Sequence, residues 1–270
     1  MDSKIIKIFL FLLIGLSNQN LSAVEFIGKF NQGSFILGKT SPEANVKIDK
    51  KDVLVTKEGY FVFGIGRDRK KDVTIQIIKD HKSDVIIKKV FKRKYKIQRI
   101  DGLPEKKVTP PKEVYERIKR ENKIIVEARE IESNLNFFTK KFINPLDEAI
   151  VTGVYGSQRI LNGKPKWPHY GVDFAAKEGT KIKAMLDGTA TMVEPDLFYT
   201  GGTLIFDHGH GISTLYMHLK DIYVKKGQKV KQGEIIGTVG STGRSTGPHL
   251  DVRLNWFGVR LDPATVLDLN

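Results

Sequence analysis

The chain has 270 residues, enough for one large domain or two modest ones, and its 45 Lys+Arg against 31 Asp+Glu give a net charge of +14. That charge lies in short runs such as Lys88-Lys89 and Lys92-Arg93-Lys94, with no helical basic stripe or nucleic-acid motif. Nucleic acid is therefore a poor first choice of partner, and an anionic wall or membrane surface, or simple solubility, accounts for the charge. There is no cysteine, which excludes disulfide staples and a lipidated cysteine and leaves the core, helped by any metal, to hold the fold.

At the N-terminus Lys4 and Lys7 precede a short apolar run from Ile8 to Leu16, and Ser22-Ala23 follows. This is the layout of a secretory signal peptide over residues 1–23, cleaved after Ala23, and the run is too short to span a bilayer comfortably. The expected protein is exported to the periplasm or cell envelope and touches the membrane only transiently through that segment. Losing Lys4, Lys7 and Asp2 leaves a net charge of +13.

Residues 24–98 alternate apolar and polar positions between turns: Phe35-Ile36-Leu37, Val46-Lys47-Ile48, Val53-Leu54-Val55, Tyr60-Phe61-Val62-Phe63, Val73 to Ile78, and Val85-Ile86-Ile87. Short strands at this spacing predict a small antiparallel β sandwich of immunoglobulin-like or similar type. His81, in the polar turn Lys79-Asp80-His81-Lys82, reads as a solvated turn residue. Residues 99–143 read as linker and helix. A polar stretch ends at Thr109-Pro110-Pro111, where Thr109 as N-cap with proline behind it signals a helix start. Val114, Ile118, Ile125 and Ala128 then predict one amphipathic helix over about 111–134, a connector laying one apolar stripe on a domain. Residues 144–270 are punctuated by Gly227, Gly233, Gly237, Gly240 and Gly243 as by hairpin turns. Strands are expected at 180–185, 188–193, 202–207, 212–218, 222–224, 234–238 and 249–254, without a helix, so this sheet must close or fold over on itself. The fold class is mainly β.

Five of the six histidines lie between 169 and 249. His169 and Asp173 are four apart and share a face if the segment is extended; His249 and Asp251 are two apart on an expected strand. His218 ends an alternating strand. Three histidines and two aspartates suffice for three metal ligands and two unligated bases, the composition of a catalytic zinc site. His208 and His210, flanked by glycines in Asp207-His208-Gly209-His210-Gly211, read as structural turn or groove-rim residues. Trp167 and Tyr199 suit either a substrate groove or half-buried packing.

His169-x-x-x-Asp173, Tyr216-x-His218-Leu219, Gly240-Ser241-Thr242-Gly243 and Ser245-Thr246-Gly247-Pro248-His249 resemble the lysostaphin-type (LytM-like) zinc endopeptidases, which cut peptide cross-links in bacterial walls. The likeness covers roughly residues 145–265 and includes the approach Val224-x-x-Gly227-x-x-Val230-x-x-Gly233-x-x-Ile236-Gly237. It implies a metallopeptidase domain over 144–270 that hydrolyses peptidoglycan stem-peptide cross-bridges. His169 and Asp173 would ligate zinc, and His218 and His249 would flank the reacting water. The family's usual second histidine of His-x-His is Asp251 here, which the resemblance makes the third ligand. A second carboxylate is expected to weaken the ion's Lewis acidity and to admit manganese or iron in place of zinc. The rival reading, motivated by Asp251 and the extra N-terminal parts, is a non-catalytic wall-binding or hydrolase-activating protein, and another cell-wall hydrolase or a division protein is a further expected partner. A lipoyl- or biotinyl-type carrier is a distant third, lacking a lysine at a hairpin tip in the expected setting.

Overall fold

The computed structural model describes residues 24–148, 150–267 and 269; the signal-peptide segment lies outside them. The first strands are β1 (Glu25–Ile27), β2 (Phe35–Lys39), β3 (Asn45–Ile48), β4 (Lys51–Val53), β5 (Tyr60–Gly64), β6 (Val73–Lys79) and β7 (Lys82–Lys88). They form two antiparallel sheets, ordered β1-β2-β5 and β4-β3-β6-β7, as the alternation predicts. On β6, Val73, Ile75 and Ile77 are buried while Thr74 and Gln76 are half-buried, the period-2 signature of a sheet with one wet face.

The linker departs from expectation. Ile97–Ile100 is a strand, β8, and the short helix α1 (Glu105–Val108) follows it. Thr109 sits at the C-terminal end of α1 and caps no later helix. A single 3-10 turn, Lys112–Val114, opens without a side-chain cap into α2 (Tyr115–Arg129), shorter at both ends than the apolar pattern suggested. The cause lies in tertiary packing: Ile100, Leu103 and Val108 find an apolar partner in Leu161, so this polar-looking stretch has a small core of its own.

The remaining strands are β9 (Ile150–Gly153), β10 (Gln158–Leu161), β11 (Lys164–Pro165), β12 (Val172–Ala175), β13 (Lys181–Lys183), β14 (Gly188–Leu197), β15 (Gly201–Gly209), β16 (Ile212–Ile222), β17 (Lys229–Val230), β18 (Ile235–Val239), β19 (His249–Trp256) and β20 (Val259–Leu261). The two segments expected at 212–218 and 222–224 are the one long strand β16. The main sheet runs β17-β14-β15-β16-β19-β12-β9, with β18 bridging β13 and β16 and β20 added to β19. Beside it, β8 pairs in parallel with β10, so the end of the predicted sandwich and the start of the predicted linker become part of the C-terminal half.

Every residue of β15 is buried because both faces of the sheet are covered. On one face Leu204, Phe206, Tyr216 and Leu254 join the main core, which continues into the N-terminal sheets through Ile36, Phe61 and Ile75. On the other, Ile205, Leu215 and Met192 receive Ala128, Ile124 and Ile125 of α2. Asp251 and Arg253 stand on that same face, because Arg253 is the cross-strand partner of Leu215 and Asp251 that of Met217. No helix among the described residues is long and apolar enough to cross a membrane.

Candidate metal centre and groove

Cross-strand pairing builds the site. Asp173 on β12 lies directly opposite Asp251 on β19. Two carboxylates facing each other across an antiparallel pair repel, and both are buried, with relative exposures of 7% and 1%. His169 enters from the loop before β12. Its N–H donates to the Ser157 carbonyl at 2.8 Å, and its own carbonyl accepts from Gly156 at 2.7 Å. One ligand atom from each of His169, Asp173 and Asp251 falls within 4.8 Å of the others. His169 Nε2 is 3.2 Å from Asp173 Oδ1, and Nδ1 is 3.9 Å from Asp251 Oδ2. Neither approach is a hydrogen bond, so both ring nitrogens and Asp173 Oδ1 are buried without a partner.

Two arginines that the sequence reading passed over hold the carboxylates. Arg159 on β10 donates to Asp173 Oδ2 at 2.7 Å. Arg253 donates from Nη2 to Asp251 Oδ2 at 3.0 Å and from Nε to Oδ1 at 3.3 Å. Burial and the facing Asp251 push Asp173 up, but His169 and Arg159 outweigh them and hold it below its ordinary value. Burial likewise pushes Asp251 up, and Arg253, His169 and Arg159 hold it well below the usual carboxylate range. Two glycines make the room: a Cβ on Gly153 would lie 2.2 Å from Asp173 Oδ2, and one on Gly171 2.4 Å from Asp251 Oδ1. Arg253 could have been found in the sequence, two residues beyond Asp251 on the same strand face. Arg159 carried no such signal, since only the fold of β10 brings it near.

His218 and His249 lie beside this cluster with ring centroids 4.6 Å apart. His218 is held at φ 65°, in the left-handed region that non-glycine residues enter only when their surroundings impose it. Its Nδ1 is 2.8 Å from the Thr242 carbonyl, and His249 Nδ1 is 2.8 Å from the Gly247 carbonyl. A carbonyl can only accept, so in each ring Nδ1 carries the hydrogen and Nε2 keeps its lone pair. Burial, and then the neighbouring His249, lower His218 to about 4, leaving it neutral at pH 7. Both histidines and Asp173 line a groove of about 290 Å³ whose other walls include Gln98, Leu103 and Arg244. Gln98, at the end of the stretch read as sandwich, and Leu103, in the stretch read as linker, thus form a wall of the site.

The other histidines are placed elsewhere. His208 is fully buried with Nδ1 2.7 Å from the Asp187 carbonyl and Nε2 2.7 Å from Thr214 Oγ1, so neither nitrogen is left for a metal. His210, at φ 50°, packs on Phe138. His81 is an exposed turn residue at φ 60°. Tyr199 stacks on Arg244, with 4.5 Å from the guanidinium to the ring centroid. Trp167 is 82% exposed and lines a separate cleft with Arg67 and Tyr170.

Residues 167–263 match peptidase family M23, a stretch that holds His169, Asp173, His218, His249 and Asp251 and leaves out Arg159. Residues 167–263 are an M23 peptidase domain. The chain is 46% identical over 87 residues to the peptidoglycan DD-endopeptidase ShyA of Vibrio cholerae, covering 32% of this chain and 20% of that protein. It is 42% identical over 98 residues to the DD-carboxypeptidase/endopeptidase Mpg of Neisseria meningitidis, covering 36% and 22%. The chain thus spans about a fifth of the length of these curated relatives. A solved Pseudomonas aeruginosa structure described under peptidase M23 superposes with a TM-score of 0.69 at 27% identity, covering 88% of this chain and 95% of that one. That M23 likeness therefore extends through the N-terminal sheets.

Proposed function

We propose that the protein is an exported metalloendopeptidase that hydrolyses peptide cross-links of peptidoglycan. The observation that carries the reading is the set of orphaned buried ligand atoms, His169 Nδ1 and Nε2 and Asp173 Oδ1, facing Asp251 at the head of a groove lined by two histidines. Buried polar groups are almost always partnered, and two opposed carboxylates with an imidazole between them are a donor set for one divalent ion. His169, Asp173 and Asp251 would hold it, with zinc the expected ion and manganese or iron compatible with two oxygen ligands. A bound divalent ion there supplies Lewis-acid polarisation of a peptide carbonyl and acidifies water.

The chain's own residues do the rest. Nε2 of His218 or His249 takes a proton from the attacking water and returns it to the leaving amine. Once protonated at Nε2, that imidazole is a donor suited to the oxyanion, while its neighbour 4.6 Å away stays neutral because two adjacent imidazolium charges repel. Arg159 and Arg253 change the expected cost of Asp251. Their two positive charges balance the two carboxylates, so an ion bound between them is not neutralised by its ligands and keeps its Lewis acidity. Export is supported by the layout of residues 1–23, and peptidoglycan as substrate by the names of the relatives.

Protein comprising residues 24–270, purified with zinc, is expected to release soluble fragments from labelled sacculi, and a chelator to stop it. Intact sacculi together with no bound metal would overturn the reading. One observation favours the rival, a non-catalytic wall-binding or hydrolase-activating module: Arg253 engages both oxygens of Asp251. Retained cellular function in a His169→Ala protein would decide for it.

A further inference from the structure

Arg159 and Arg244 line the groove, Arg253 holds Asp251 beside it, and the three are not equivalent. Arg159 is spent on Asp173, and Arg253 on Asp251. Arg244 lines the groove with His218 and His249 and makes no ion pair with any described residue. Its Nη1 reaches only the Lys107 carbonyl at 3.4 Å, a weak contact, and one of its faces is covered by the Tyr199 ring. A guanidinium has five N–H donors in a planar fork, so most of this one is unused. Its position is nonetheless fixed. The Arg244 backbone N–H donates to the Tyr199 carbonyl at 2.8 Å, and Gly243 packs so closely there that a Cβ would lie 2.4 Å from the Gly201 nitrogen. Burial lowers the Arg244 pKa, as expected of a cation drawn out of water without a counter-charge.

From these observations, and resting on the peptidase reading above, we propose that Arg244 is a carboxylate-binding subsite. It receives a free carboxylate of the substrate peptide beside the scissile bond and so selects acidic stem peptides over neutral ones. Stacking on Tyr199 leaves the fork's edge available, and a planar carboxylate is the partner that edge fits in a bidentate manner. The groove's field favours the same ligand. With the ligand carboxylates balanced by Arg159 and Arg253, a divalent ion and Arg244 make the groove cationic. The carboxylate comes either from the peptide's C-terminus or from an acidic side chain, and the test separates the two sources.

Fluorescent tetrapeptide stems are prepared in three forms: fully acidic, with a C-terminal carboxamide, and with the side-chain carboxylate amidated. Binding to the zinc-loaded protein is read by anisotropy, and cleavage of the matching cross-linked dimers is followed in parallel. One of the two amidated forms is expected to bind about tenfold more weakly than the acid, identifying the carboxylate that Arg244 holds. In Arg244→Gln this preference disappears through loss of affinity for the acid alone; Arg244→Lys keeps part of it. Equal binding of all three forms by the unsubstituted protein, or equal weakening of all three in Arg244→Gln, would overturn the subsite. A binding preference without any cleavage would leave the subsite standing and overturn the peptidase reading.

Discussion

Two buried histidines, one in the loop before β12 and one on β15, make opposite statements. His169 and His208 have relative exposures of 1% and 0%. His208 spends one nitrogen on the Asp187 carbonyl and the other on Thr214. His169 spends neither, and the nearest polar groups are two carboxylates that repel each other across a strand pair. Burial alone therefore does not mark a functional histidine. Burial with unmet hydrogen-bonding capacity does, because folding a bare imidazole into a dry site costs about 1–3 kcal/mol per lost partner unless something else binds there.

The contrast breaks hardest at His169. His169→Ala is expected to reduce bound zinc from one ion per chain to almost none and to abolish cleavage, with the fold retained. Metal analysis of the dialysed protein checks it, and one retained ion would mean that His169 is only a packing residue. His208→Ala, by contrast, is expected to leave metal content untouched and to lower stability. His218→Ala comes next, with zinc and KM retained and kcat reduced about 10²–10⁴-fold, the usual loss on removing a proton-transfer group. A rate within a factor of three of the parent would place the proton transfer on His249 alone.

Asp251 sharpens the comparison differently. Restoring the family's usual residue with Asp251→His removes the only ion-pair partner that half-buried Arg253 has among the described residues. The expected result is a loss of about 1–3 kcal/mol in urea unfolding, since the guanidinium left behind loses its partner but keeps some access to water. Asp251→His/Arg253→Gln should recover part of this, with a coupling of about 1–3 kcal/mol between the sites. Additive effects would show that the pair contributes no specific interaction.

Much of this was legible in the sequence, for definable reasons. Strands such as Val73–Lys79 announce themselves because one face is dry and the other wet. The spacings His169-x-x-x-Asp173 and His249-x-Asp251 named the residues of the cluster; pairing of β12 with β19 sets Asp173 opposite Asp251, and His169 reaches them from the loop before β12. The strand β8 escaped notice because half of its residues face solvent and its partner β10 lies about 60 residues away, a pairing that leaves no local pattern. Helix α2 was overdrawn for the complementary reason: apolar residues continue to Phe138, but those beyond Arg129 belong to a different packing surface. Arg159, Arg253 and Arg244 were hidden by their chemistry. In a chain with 45 basic residues an arginine attracts no attention until its neighbours are known.

The smallest expected effect tests whether His208 is architecture, through its proton. Burial lowers His208 to about 4 from an ordinary 6.5, the Asp187 carbonyl opposing only part of the shift. Its folded pKa lies below its unfolded one, so the unfolded chain binds the extra proton first as pH falls. The stabilising contribution is whole above pH 6.5, declines between 6.5 and about 4, and is lost below that, amounting to about 3 kcal/mol at most. His218 shifts in the same direction, and Asp207, raised by burial, shifts against it. The informative quantity is therefore a difference: urea stability of the parent minus that of His208→Gln, measured with chelator from pH 7.5 to 4. That difference should shrink steadily across the window as the parent alone pays for keeping an imidazole neutral. A difference independent of pH would mean that His208 takes up its proton as readily in the fold as in the unfolded chain, and the distinction drawn between it and His169 would fail.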